Sequence, residues 1–426
     1  MLDRTTPPPV REVETLTFPE VESSFLPNGI PLYVIDRGEQ ELSRVDILFS
    51  AGKVDETHPL TARHTVAMLR EGAAGLSSAE IAEKLDYYGA ALQTLATQRN
   101  TYITLYVANR YFFEVLPILY KLVACPDFPE TEFASLKERN RQALLVDLMK
   151  VNVLASRTLS EQLFGADNPY GKQEQPADYD TLTTGHLRAF HRDCYTARRC
   201  RIVLSGRITP EMKAAVADTF SALAPGIEHC QGAYPIQIPA GEHYRFVPRE
   251  GALQSGINAG CFVVGRNHPD HLVLRVLNTL LGGYFGSRLM SNIREDKGYT
   301  YGIQSSIVAY PDVAYLVVQT QAATRYVRPL IDELFNEIDR LRDTRVGDEE
   351  LHMVRSYMTG EMLRLFDSPF SVAEVFVTLL ANGLDFSYYS RRFEAIRAVT
   401  SEQLQEVACR CLEQANFCVA VAGQEK

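Results

Sequence analysis

The sequence predicts an α+β chain built as two tandem homologous domains, each a mostly antiparallel sheet packed with helices. Three observations lead there. The chain has 426 residues, 46% hydrophobic and 23% charged, the length of two or three domains and the composition of a folded globular protein. Strand-like and helix-like stretches alternate in mixed order, with hairpin-like spacing in places. A weak repeat runs through the chain at an offset of about 215 residues.

The repeat is clearest where Thr183–Gly206, TTGHLRAFHRDCYTARRCRIVLSG, is set against Thr400–Gly423, TSEQLQEVACRCLEQANFCVAVAG. Without gaps they match at Thr183/Thr400, Leu187/Leu404, Cys194/Cys411 and Gly206/Gly423. Both read as a helix, a short turn and an apolar strand ending in glycine. Upstream, Arg110-Tyr111 parallels Arg325-Tyr326, Glu132 parallels Glu350, and Gly89 parallels Gly298, in the same order. This divides the chain into an N-terminal arm, 1–24, a first α+β domain, 25–223, a Pro/Gly-rich linker, 224–242, and a second α+β domain, 243–426. The arm's Pro7-Pro8-Pro9 run reads as extended.

Within the first domain, Leu32 to Asp36 and Arg44 to Ser50 read as strands. Ser77 to Tyr88 reads as a helix: Ser77-x-x-Glu80 is a capping box, Ile81, Leu85 and Tyr88 share a face, and Gly89 supplies the stop. Tyr102 to Ala108 alternates as a strand, and helices are expected around 110–124, 130–150 and 183–193. In the second domain an apolar helical pattern, Leu272 to Leu281, runs into Gly282-Gly283-Tyr284-Phe285-Gly286-Ser287. A dinucleotide fingerprint follows a strand, so this stretch reads as a flexible helix-to-helix connection.

Composition excludes several function classes. The formal net charge of −10 disfavours a nucleic-acid-wrapping protein. No apolar run reaches the length needed to cross a bilayer, and the N-terminus lacks a signal-like apolar core, so a cytoplasmic protein without membrane partners is expected. The eight cysteines include no Cys-x-x-Cys pair and read mostly as small buried groups in a reducing compartment. No two of the nine histidines lie four apart, the spacing that puts a zinc pair on one helical face. His186 and His191 point away from each other. His268-Pro-Asp-His271 reads as helix capping. Neither a Gly-x-Ser-x-Gly elbow nor a Walker loop is present.

Two stretches carry a specific resemblance. Gly282 to Ser306, GGYFGSRLMSNIREDKGYTYGIQSS, resembles the C-terminal-half motif of the insulinase/pitrilysin-type zinc peptidases, in the mitochondrial-processing-peptidase-like bacterial branch. Residues 59–92, PLTARHTVAMLREGAAGLSSAEIAEKLDYYGAAL, resemble that family's zinc-site segment. The resemblance runs from about Phe25 to Gly423. It implies a His-x-x-Glu-His helix with two zinc-binding histidines, a water-activating Glu and a later third Glu ligand. This chain reads His64-Thr65-Val66-Ala67-Met68: His64 matches the first ligand, Ala67 stands in the general-base position and Met68 in that of the second histidine. On the later helix the nearest carboxylate is Asp147.

Alanine cannot take a proton from water, and a thioether is a poor match for a zinc site of imidazole and carboxylate. His64, Ala67, Met68 and Asp147 are therefore expected to mark a degenerate zinc site, without metal or catalytic residues in this chain. The second motif is better kept: Arg294 and Tyr301 match the pair that, in active relatives, holds substrate and the developing oxyanion from the opposite domain. The resemblance thus implies a non-catalytic subunit of a heterodimeric metallopeptidase. It would supply Arg294, Tyr301 and half of a peptide-enclosing cavity to a homologous partner that carries the zinc. Two alternatives stand beside it: a purely structural or peptide-binding homologue, and an active zinc endopeptidase with a displaced site.

Overall fold

The computed structural model describes residue 5 and residues 13–227, 232–234 and 243–424. The Pro7-Pro8-Pro9 run and most of the 224–242 linker lie outside the described residues. The first half contributes β1 (Glu22–Phe25), β2 (Pro31–Asp36), β3 (Leu42–Phe49), a two-strand hairpin of β4 (Gly72–Ala73) and β5 (Leu76–Ser77), β6 (Ala91–Ala96), β7 (Thr101–Ala108) and β8 (Cys200–Gly206). The second contributes β9 (Tyr244–Pro248), β10 (Ser255–Val263), β11 (Thr300–Ala309), β12 (Ala314–Ala322) and β13 (Cys418–Gly423).

One sheet has the order β1-β2-β8-β3-β7-β6 and the other β11-β12-β10-β13-β9. With β1 set aside, the orders correspond term for term: β2, β8, β3, β7 and β6 match β9, β13, β10, β12 and β11. Even the exceptions match, since among the described residues only β2 with β8 and β9 with β13 pair in parallel. The fold class expected from the sequence, two homologous α+β units with largely antiparallel sheets, is the one observed. Each sheet has its own apolar core, one built on Val45, Ile47, Ile103 and Leu204, the other on Ile257, Leu316, Val318 and Val421.

The residues that revealed the repeat do the same work twice. Thr183 and Thr400 each cap a helix, accepting from the backbone N–H groups of His186 and Gln403. Gly89 and Gly298 both take left-handed backbone, φ 61° and 62°, where a side chain would be strained. Arg110 lies over the Tyr111 ring at 4.6 Å and Arg325 over Tyr326 at 4.7 Å.

Elsewhere the structure refines the expectation. The capping box at Ser77 starts the helix Ser78–Tyr87 as read. The helix expected around 130–150 is Glu130–Asp147, and a further helix, Val151–Phe164, follows after a short turn. Gly282 to Ser287 does connect helical segments, but through widened, π-helical turns at Thr279–Gly283 and Met290–Asp296. Gly282 is pressed against β11, where a Cβ would come within 2.8 Å of the Ser305 nitrogen. Cys194, Cys200, Cys261, Cys411 and Cys418 are buried, and burial pushes the Cys194 thiol up to about 12. Among the described residues no helix is long and apolar enough to cross a membrane.

The halves exchange one helix each. Val151–Phe164 belongs to the first half by sequence, yet Leu159, Leu163 and Phe164 pack on Val317, Cys418 and Ala420 of the second sheet. Gly256 of β10 permits this: a Cβ there would meet the Val151 carbonyl oxygen at 2.5 Å. Reciprocally, Pro369–Ala381 sets Val372, Ala373, Phe376 and Val377 on Ile35 and Val203 of the first sheet. Full burial of such a side chain stabilises by about 1.5–3 kcal/mol. Ion pairs cross the same junctions: Arg44 bridges its own Asp46 at 2.8 Å and Glu374 at 3.0 Å, and Arg99 meets Asp312 at 3.1 Å.

Candidate functional site

The helix Thr61–Met68 enters from Leu60, whose backbone is left-handed at φ 72°. The Glu56 carboxylate accepts the Ala62 N–H at 2.8 Å, answering one orphan donor of the first turn. One turn in, His64 is fully buried, edge-on to Phe133 and Tyr179. Its Nδ1 lies 2.9 Å from the Leu60 carbonyl oxygen and its Nε2 3.2 Å from Asn140 Nδ2. A carbonyl can only accept and an amide nitrogen can only donate. The ring is therefore neutral, with its proton on Nδ1 and its Nε2 lone pair engaged by Asn140. Burial pushes its pKa down to about 4.

Met68 is fully buried in an apolar cluster with Leu60, Phe128, Phe133, Leu136 and Leu144, and Ala67 packs against that cluster. The residues present do not fit a zinc ion. One imidazole has its free lone pair occupied, its neighbours along the helix are a methyl and a thioether, and the surroundings are hydrocarbon and aromatic. Among the described residues no group of three or more His, Cys, Asp or Glu is placed to hold a metal ion.

Asp147, expected as the nearest carboxylate, is not brought to His64. It is half-exposed and ion-pairs with Lys150 at 2.8 Å. Asn140 takes the place facing His64, seven residues earlier and about 10 Å back along the same helix. The sequence reading looked only for carboxylates on that helix, and an amide passed unnoticed.

Beside His64, a cavity of about 440 Å³ is lined by Glu56, Leu60, Ala62, Arg63, Arg157 and Glu174, among others. Desolvation raises the Glu56 carboxyl to about 7. Arg63 pairs with Glu174 at 3.2 Å and donates to the Tyr179 hydroxyl. Arg157 also forms part of the wall of a larger cavity, about 890 Å³, over the second sheet.

That larger cavity holds the second motif. A bulge between Thr300 and Ile303 interrupts the pairing of β11 with β12 and turns Tyr301 outward. Tyr301 is 91% exposed, on the cavity wall, with Phe285. Arg294 stacks over the Phe285 ring at 4.6 Å. The structure thus places Phe285 and Tyr301 on one cavity wall, with Arg294 stacked on Phe285, and leaves His64 and Met68 buried in the other half with Ala67 packed beside them. Motif reading missed Phe285, Arg157 and a set of glutamines on β11 and β12. The alternating Gln319-Thr320-Gln321 was the available signal, since such amides on an inner strand need something polar to face.

Residues 181–358 match the family model described as the peptidase M16 inactive domain. The chain is 22% identical to the uncharacterized zinc protease YmxG of Bacillus subtilis, over 71% of this chain and 73% of that protein. It is 24% identical to the non-peptidase homolog YmxG of Helicobacter pylori, over 78% and 77%. Among solved structures, a peptidase M16 inactive domain from Pseudomonas fluorescens superposes with a TM-score of 0.87 at 22% identity, covering 95% of this chain and 98% of that one. A Helicobacter pylori protease gives 0.86 at 15% identity, over 96% and 100%. At these identities the structural matches establish the fold alone.

Proposed function

We propose, for a chain that belongs to the insulinase-type (M16) peptidase family and carries its inactive domain, that it is the non-catalytic subunit of a heterodimeric metallopeptidase. A homologous partner with an intact zinc motif would perform hydrolysis. This chain would bind no zinc and would contribute Arg294, Tyr301 and half of the wall around an extended peptide.

The observation that carries this reading is the state of Tyr301. An aromatic side chain 91% exposed on a cavity wall contributes almost nothing to the core, so folding gives no reason for it. A phenol held outward by a strand bulge and a guanidinium stacked on Phe285, a residue of the same cavity wall, are suitable donors for a developing oxyanion. The positions that would have bound zinc are filled by a fully buried methionine and a histidine locked by Asn140, which supports assigning the metal to the partner.

The test is peptide cleavage by a zinc-bearing homologous subunit reconstituted with this chain. Tyr301→Phe is expected to lower turnover about 10²–10³-fold, the usual cost of removing one oxyanion donor. Arg294→Ala is expected to lower it further, through lost positioning as well as charge. Metal analysis should find zinc in the partner only. Unchanged turnover from Tyr301→Phe in an intact complex would make the pair structural.

A further inference from the structure

Three arginines from three separate elements of the second half stand together with little to neutralise them. Arg266 lies in the loop after β10, Arg275 on the helix His271–Asn278 and Arg392 on the helix Ser387–Ala398. All three are half-buried. They are near enough to act on one another: the charge of Arg275 opposes those of Arg266 and Arg392, and all three oppose protonation of His271. Burial first, and then the field of Arg275, brings Arg392 down to about 10.

Their hydrogen bonding is as incomplete as their charge balance. Among the described residues none of the three makes an ion pair, and the guanidinium groups of Arg275 and Arg392 make no hydrogen bond. Arg266 makes one, donating to the Ala309 carbonyl at 3.0 Å. The Nε of each arginine is sealed from solvent without an acceptor. His271 is 1% exposed, and its Nε2 is sealed in the same way, while its Nδ1 lies 3.2 Å from the Val264 carbonyl oxygen. Much of what faces the cluster is aromatic. Arg392 lies over the Tyr389 ring at 5.8 Å, and Arg266 is in the field of Tyr102 from the first sheet. The acids nearby are committed elsewhere. Glu361, which acts on Arg392, pairs with Arg364 at 3.0 Å, and Asp270, next to His271, pairs with Arg410 at 2.9 Å.

The corresponding place in the first half shows what a balanced version contains. There the loop and helix after β3 carry Asp55 and Arg63, and both are matched: Asp55 with Arg199 at 3.0 Å and Arg63 with Glu174 at 3.2 Å. Half-buried like charges and sealed donors without acceptors cost free energy, and folded chains ordinarily pair them. In the second half the missing partner is an anion.

We infer that Arg266, Arg275 and Arg392 form a binding site for a phosphate group, free or carried by a small molecule. The site shares no residue with the cavity of Tyr301, and the inference does not rest on the peptidase reading. Phosphate is favoured over a carboxylate by number and shape. A phosphate group carries about −1.5 to −2 charges at neutral pH and three strong acceptor oxygens, against one charge for a carboxylate. Each guanidinium presents paired N–H donors spaced for two oxygens of one such group. An acidic peptide spreads its charges along a chain, whereas these donors gather at one spot.

The experiment is isothermal titration of the full chain in a chloride buffer of fixed ionic strength, with inorganic phosphate, glycerol phosphate and acetate as probes. Both phosphates are expected to bind with Kd below about 1 mM, and acetate at least about ten-fold more weakly. The tighter of the two phosphates identifies the source, free anion or phosphorylated small molecule. Arg275→Gln and Arg392→Gln are each expected to weaken phosphate at least about ten-fold, the worth of one hydrogen bond to a charged group. Thermal unfolding adds a readout that a structural role would move the other way. Phosphate should raise the midpoint of the wild-type chain. Without phosphate, Arg275→Gln should raise the midpoint or leave it unchanged, because it removes a like charge and breaks no bond. Should Arg392→Gln fold poorly through its lost contact with Tyr389, Arg275→Gln decides alone. Phosphate binding unaltered in Arg275→Gln would overturn the inference, as would acetate binding as tight as phosphate. A Glu-rich peptide that binds more tightly than phosphate and displaces it would overturn it in favour of a protein partner.

Discussion

The region around His64 and the region around Tyr301 are the two stretches that resemble peptidase motifs, and folding treats them in opposite ways. Around His64 the positions that the resemblance aligns with zinc-site residues pack into or against the core. Met68 is fully buried, Ala67 packs beside it, and the one imidazole left is neutral and bonded at both nitrogens. Around Tyr301 a phenol stands almost fully exposed at a strand bulge, on the same cavity wall as Phe285, a partly exposed ring under Arg294. A position absorbed into the core is held by stability. A position held out in solvent is not held by stability, and the function proposed for Tyr301 starts from that difference.

The comparison makes three quantitative demands, beginning with the largest. Met68→Ala should destabilise the chain by about 2–5 kcal/mol, the cost of truncating a fully buried methionine and leaving a cavity. Urea unfolding monitored by circular dichroism reads this directly, and a loss below about 1 kcal/mol would mean the cluster is not packed as described. Second, His64 should make stability fall in acid. Its folded pKa, about 4, lies below the ordinary value of 6.5, so between those values the unfolded chain binds more protons and stability is lost as pH drops. From pH 7 to pH 5 this amounts to about 2 kcal/mol from this one ring. His64→Leu should remove that share of the acid sensitivity. The Glu56 carboxyl, raised to about 7, acts in the opposite sense and is common to both proteins. Equal pH profiles for wild type and variant would show that His64 is hydrated in solution. Last and smallest, Tyr301→Ala should change stability by no more than about 0.5 kcal/mol, as for a surface substitution. A larger loss would return Tyr301 to a structural role.

Most of the architecture was legible because it repeats. The capping threonines, the left-handed glycines and the Arg-Tyr pairs recur at one offset, and each is a local device whose meaning does not depend on the rest of the chain. The exchanged helices were not legible, because an amphipathic helix shows that it has an apolar face and not which sheet receives it. At the site, Ala67 and Met68 could be read as lost chemistry, since a side chain that lacks a proton acceptor lacks it in any fold. Asn140 could not be read. Its importance comes from one contact across two helices, and nothing in its own neighbourhood sets it apart from Arg139 or Arg141. The arginine cluster was equally hidden, because Arg266, Arg275 and Arg392 come together from three separate segments.

The reciprocal exchange of Val151–Phe164 and Pro369–Ala381 constrains how the chain is made. The first sheet has all its strands once Gly206 is synthesised, but the helix that covers Ile35 and Val203 lies some 160 residues further on. At ordinary rates of translation that sheet face waits about 8–30 s for its cover. During that interval the nascent first half presents an apolar face that becomes interior only when Pro369–Ala381 arrives. The same interleaving means that a cut in the stretch between residues 227 and 243 would leave two polypeptides that still hold each other, each lacking an essential part of its own shell.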